Sequence, residues 1–182
     1  MVGRIIETPD CVAEGVAFLS ALEPRFAHAA GLCSPLPLRR RADGFAALLD
    51  AIVSQQVSVA SANAIWARME AAGLTDPTRL ADASDEDCRA VGLSRQKARY
   101  GRELAKAGID FAALRGVPDA QVVATLTAVP GIGVWTAEIY AMFALGRADV
   151  FAPGDLALQE AARVLFGLGT YSARQVAAGL CR

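Results

Sequence analysis

Lysine is almost missing from this 182-residue chain: of eighteen basic residues only Lys97 and Lys106 are lysines, and the rest are arginines. Nineteen acidic residues bring the net charge to −1, which excludes a protein that coats nucleic acid through bulk positive charge. A local grip on a few phosphates through backbone amides and an arginine patch is still allowed. Histidine occurs once, at His28, and supports no assigned role. The four cysteines, Cys11, Cys33, Cys88 and Cys181, lie far apart and show no metal-ligand spacing. They read as reduced thiols of an intracellular protein rather than as a disulfide framework. No apolar run approaches the roughly 18 residues of a membrane span. The opening MVGRIIETPDC lacks the apolar stretch of a secretory signal. Repeats, low-complexity linkers and period-2 strands are absent too, so no sheet is expected. What remains is a chain 54% hydrophobic and 20% charged, suited to one compact domain or two small lobes.

Helical signals fill that chain. Phe45, Leu48, Leu49, Ile52 and Val53 fall on one stripe. A second helix is predicted over Val59–Ala72, stopped by Gly73. Asp76-Pro77 reads as a cap followed by a first-turn proline, and Ser84 with Asp87 as a capping box. Ser94 caps a helix ending at Gly108, and Pro118 opens another through Leu126. Further helices are expected over Val134–Leu145, Asp155–Phe166 and Ser172–Leu180, with residues 1–35 holding one helix and a connector. The fold class is therefore all-α, with short helices and short loops.

The stretch LTAVPGIGVWTAEIYAMFAL, residues 126–145, carries the strongest chemical signal. Two helical patterns meet at Pro130-Gly131-Ile132-Gly133. The glycines permit positive φ and keep side chains away from an approaching ligand. The amides of Gly131, Gly133 and Val134 stand at a helix start, where they can bind a phosphate oxygen. The hairpin carbonyls of Thr127, Val129 and Ile132 are candidate ligands for a monovalent cation (Na+ or K+) beside that phosphate. A tight turn without ligand fits the same four residues. Downstream, Asp155 follows Pro153-Gly154 and opens a helix. It reads as an N-cap and also as a fixed carboxylate suited to stabilising an oxocarbenium ion or orienting water. The two readings are compatible.

The order VPGIG, WTAE, then a proline-containing loop ending at Asp155 resembles the helix-hairpin-helix, Gly/Pro-rich-loop, Asp superfamily of DNA glycosylases, and within it the 3-methyladenine glycosylase II (alkylpurine) branch. LLDAIVSQQVSVASANAIWARM at 48–69 and GLSRQKARY at 92–100 extend the resemblance over about residues 36–168. The resemblance implies a two-lobed helical fold with the hairpin between lobes, Asp155 as catalytic residue and double-stranded DNA with alkylated bases as partner. Trp135 stands where strand-cleaving members carry a lysine, which implies base removal alone. It also resembles an aromatic wall for a cationic base, with Tyr140 as a second lining residue or a core residue. The loop Ser54–Ser58 matches the wedge that props the stack after base flipping, placing Gln56 at the wedge with Gln55 and Ser58 beside it. Ser94 and Lys97, with Arg95, are candidates for the DNA backbone near the flipped nucleotide. Arg39, Arg40 and Arg41 read by default as a solvated charge run.

Three departures qualify the resemblance. No four-cysteine cluster follows Asp155, so no iron–sulfur centre is expected. No N-terminal β-domain precedes residue 36. The chain closes on Gly179-Leu180-Cys181-Arg182 without the Trp-, Pro- and Arg-rich helix that relatives carry there. The expected domain division is residues 1–35 and 36–182, in a monomer that is cytoplasmic (nucleoid-associated in a bacterium). A non-catalytic binder of DNA structure and a glycosylase for another damaged base are the rival readings.

Overall fold

A computed structural model describes residues 2–33 and 35–168. Within them lie eleven α-helices: α1 Pro9–Leu22, α2 Pro24–Cys33, α3 Phe45–Ser54, α4 Val59–Ala72, α5 Pro77–Asp82, α6 Asp85–Ala90, α7 Arg95–Lys106, α8 Phe111–Leu114, α9 Asp119–Thr127, α10 Val134–Phe143 and α11 Leu156–Phe166. The only extended pairing among the described residues is an isolated bridge between Ile5 and Arg147. No helix there is long and apolar enough to cross a membrane. The helix expected at Ser172–Leu180 lies outside the described residues.

Local chemistry sets the boundaries. Ser58 accepts from the Ser61 amide to start α4, and Gly73 ends it at φ 69° in the left-handed conformation. Ser84 and Asp87 form both bonds of a capping box on α6. Residues 1–35 differ from expectation, since they hold two helices. Pro24 has no N–H to continue the ladder of α1, and instead opens α2. The segment before α1 is no free connector either. Ile6 N–H donates to Gly146 O (2.7 Å) and Ala148 N–H to Arg4 O (3.0 Å), lacing residues 4–6 onto the chain that leaves α10.

The core belongs to α3–α10. Leu48, Leu49, Ile52, Val53, Met69 and Leu80 are wholly buried there. α7 packs against α3, α5 and α6, and α9 against α10. Gly101 lets these helices close, because a Cβ there would sit 3.2 Å from Leu80 Cδ2 and 3.3 Å from Leu49 Cδ1. A smaller cluster joins α1, α2 and α11. In it Phe26 and Phe166 meet edge to face at 5.7 Å, and the Arg25 guanidinium lies 4.4 Å from the Phe166 ring centroid.

Candidate active site

The hairpin lies between α9 and α10. Ile132 N–H closes the turn onto Val129 O at 3.1 Å. Gly131 has φ 92°, and a Cβ there would lie 2.4 Å from Tyr100 Cγ. Glycine is thus required twice, by backbone conformation and by the ring packed against it. Gly133 differs from expectation: its φ of −85° suits any residue, and a Cβ would meet nothing within 4 Å. Its smallness serves open space in front of α10, not the turn. No residue caps that helix with a side chain. Among the described residues the amides of Gly131, Gly133 and Val134 have no acceptor. These unsatisfied donors lie at the positive end of α10, where the helix dipole favours negative charge.

The Ser54–Ser58 loop runs beside the hairpin. Gln55 Nε2 donates to Gly131 O at 3.2 Å, so loop and hairpin are joined directly. Gln56 is exposed and has φ 55°, the only non-glycine residue with positive φ among those described. An L-residue held there stores about 1–3 kcal/mol of backbone strain. Gln55, Gln56, Ser94 and Lys97 line a cleft with a volume of about 270 Å³. Ser58 and Ser94 cap α4 and α7 through their hydroxyls. Lys97 Nζ donates to Val53 O at 2.6 Å, anchoring the C-terminal end of α3, and partial burial lowers its pKa. These last three side chains therefore have structural partners already.

Asp155 sits at the head of α11. Its Oδ1 accepts from Ala157 N–H (2.9 Å) and Leu158 N–H (3.1 Å), while Oδ2 accepts from Trp135 Nε1–H (3.0 Å). The indole bond first, then the helix amides, hold the carboxyl below its usual pKa. Trp135 is 48% exposed and lies in the first turn of α10, directly after the hairpin. The free amides and the carboxylate thus flank one helix start.

Tyr140 does not join this cluster. It is buried, its ring tilts against Phe111, and its hydroxyl accepts from Gly44 N–H at 2.8 Å. Five residues after Trp135, it points about 140° around the helix from the indole. Arg147 is a residue the sequence did not flag. Buried behind α8, it donates to the carbonyls of Leu114, Arg115 and Val117 at 2.9–3.1 Å and faces Asp119 at 3.5 Å. No motif marks it; a basic residue following Gly146 was the sole signal. Of the three-arginine run, Arg40 packs over Gly146 and the Arg41 amide donates to Phe143 O.

The family of HhH-GPD superfamily base excision DNA repair proteins matches residues 49–181. DNA-3-methyladenine glycosylase 1 of Schizosaccharomyces pombe is 30% identical over 130 residues, covering 66% of this chain and 57% of its own length. DNA-3-methyladenine glycosylase 2 of Escherichia coli is 31% identical over 132 residues, covering 65% of this chain and 47% of its own. The chain thus spans about half the length of these curated relatives. The crystal structure of a DNA-3-methyladenine glycosidase from Bacillus halodurans superposes with a TM-score of 0.79 at 32% identity, covering 97% of this chain and 82% of that one. The S. pombe 3-methyladenine DNA glycosylase in complex with abasic DNA gives 0.74 at 27% identity, covering 91% and 86%.

Proposed function

The chain belongs to the HhH-GPD superfamily of base-excision DNA repair proteins, and from that membership we propose that it is an intracellular, monomeric glycosylase excising alkylated purines from duplex DNA. The observation that carries the reading is the placement of Asp155, fixed by Trp135 at the same helix start that presents free amides. The amides of Gly131, Gly133 and Val134 hold one phosphate. Gln56 fills the stack vacated by the flipped nucleotide, with Gln55 tying that loop to the hairpin and Ser58, Ser94 and Lys97 bordering the backbone path.

An N3- or N7-alkylated purine is cationic. It stacks on the electron-rich face of Trp135 by cation–π attraction. The N-glycosidic bond breaks with its electron pair leaving on the base, which departs neutral. The sugar is left as an oxocarbenium ion, which the Asp155 carboxylate stabilises until water adds at C1′ and loses a proton. Trp135 offers no amine for a Schiff base, so the product is an intact strand with an abasic site.

The carbonyls of Thr127, Val129 and Ile132 would hold a Na+ or K+ against the same phosphate, adding positive charge. The donor set fits: among the described residues the Thr127 and Ile132 carbonyls accept no backbone hydrogen bond, and Val129 accepts only that of Ile132. Among the described residues the cysteines are dispersed, with Cys88 buried in the core and Cys11 and Cys33 on α1 and α2, and the proposal includes no iron–sulfur centre.

A non-catalytic DNA binder is favoured by one observation, that Asp155 already serves as an N-cap. Base release from duplexes containing 3-methyladenine or 7-methylguanine separates the two. Wild type should release base, leaving strand breaks only after alkali. Asp155→Asn should lower release on the order of 100-fold or more while still binding abasic DNA. Release unchanged in Asp155→Asn would remove the role given to that carboxylate, and a folded wild type that releases nothing would establish the binder.

A further inference from the structure

We propose that Trp135 is a positioning residue for Asp155, acting through its indole N–H as well as through the ring face offered to the base. The proposal rests on the excision reading above and adds to it a second role for the indole. Two amides of α11 hold Oδ1 of Asp155, and these alone leave Oδ2 free to turn with the carboxylate plane. The indole donor, at 3.0 Å, takes Oδ2 and thereby fixes that plane. An N–H lies in the plane of its ring, so Asp155 meets the edge of the indole and occupies neither face. One rigid group thereby sets where a stacked base lies and which carboxylate oxygen lies beside its sugar.

The donors are all neutral. The charged groups on surrounding elements are Glu138 of α10, Arg147 and Asp149 of the preceding loop, and Glu160 and Arg163 of α11; Arg147 faces Asp119, and Glu160 and Arg163 pair at 2.7 Å. None of them contributes a charge interaction to Asp155; its ionisation is favoured by the indole and the two amides and opposed by burial. Removing the indole N–H removes the largest of these contributions. The carboxyl then protonates at higher pH, and its charge is lost over a range where the wild-type protein keeps it.

Trp135→Phe keeps an aromatic face and deletes the donor, and the half-exposed position keeps the core out of play. Single-turnover excision of 7-methylguanine should fall about tenfold or more, the effect of one hydrogen bond to a charged group. The acid limb of its pH profile should move to higher pH, while affinity for abasic DNA stays within about twofold. A variant with wild-type turnover and pH profile would overturn the proposal, as would one that loses affinity alone.

A second readout uses the DNA-free protein. The chain has two tryptophans, Trp66 and Trp135. One indole N–H resonance should shift with pH at a midpoint below the ordinary carboxylate range, and the shift should vanish in Asp155→Asn. Its absence in an active wild type refutes the positioning role and leaves the excision reading standing. Its presence in a wild type that releases no base refutes both catalytic roles, leaving a structural bond.

Discussion

α3–α10 and the group α1, α2 and α11 are built on different terms. The first encloses a continuous aliphatic core in which Ile52, Val53 and Met69 have no exposed surface. In the second, α1 and α2 bury no residue at all, and α11 buries only Ala162. Phe18, Leu19 and Leu22 of α1 are exposed, and among the described residues α2 meets α11 through the Phe26–Phe166 rings and the Arg25 guanidinium over Phe166. The free hairpin amides and the indole belong to the firmly packed region. The carboxylate belongs to the lightly packed one, because Asp155 is the cap of α11. A single hydrogen bond from Trp135 spans the two at the point where chemistry is proposed. A carboxylate proposed for chemistry need not come from the best-packed part of a fold, provided that part supplies a donor to hold it.

The largest expected effect would test the contrast itself. Ile52→Ala should lower the stability of the chain by about 2–5 kcal/mol in urea unfolding, from lost burial plus the cavity left in a closed core. Phe18→Ser, at a residue 66% exposed, should change it by less than about 0.5 kcal/mol. Comparable losses at both sites would mean that α1 is covered as firmly as α3, and the contrast would fail.

Next in size is the hairpin, where two glycines separate structural from ligand-facing requirements. Gly131→Ala forces a Cβ into Tyr100 at positive φ, and should cost about 1–3 kcal/mol of stability along with DNA affinity. Gly133→Ala meets no neighbouring atom and should leave stability unchanged. Affinity for abasic DNA should still drop, and the salt dependence of binding should flatten as one phosphate contact is lost. If Gly133→Ala binds like wild type, the open space before α10 is not where phosphate docks.

The hairpin also marks how far sequence reading reaches. The α4 limits, the α6 capping box and Asp155 at the head of α11 were legible because each is written in consecutive residues. The Trp135–Asp155 bond was not, since it joins residues twenty apart whose separation depends on how a loop returns. Gln55 to Gly131 was hidden for the same reason, at a sequence distance of 76. Tyr140 was open in the sequence between a pocket and a core position, and helical geometry turns it into the core against Gly44. Periodicity blurred α1 into α2 because Pro24 restarts a helix only one residue after α1 ends.

A smaller effect on the fold than that of Gly131→Ala falls on Gln56, and it sharpens the comparison most. At φ 55° a glutamine is strained where glycine would not be. Gln56→Gly removes that strain but also enlarges the unfolded ensemble, and the two contributions oppose each other. Stability should therefore shift by no more than about 1 kcal/mol in either direction. The side chain is exposed and makes no hydrogen bond among the described residues, so the fold loses no contact with it. A wedge, by contrast, acts only when a base has left the stack, and the variant should bind abasic duplex more weakly than wild type while binding undamaged duplex equally. That pattern would assign the strain to function, since nothing in the packing of α3 or α4 requires it. Equal affinity for both duplexes would move the wedge role to Gln55, whose amide would then have to give up Gly131 to reach the stack.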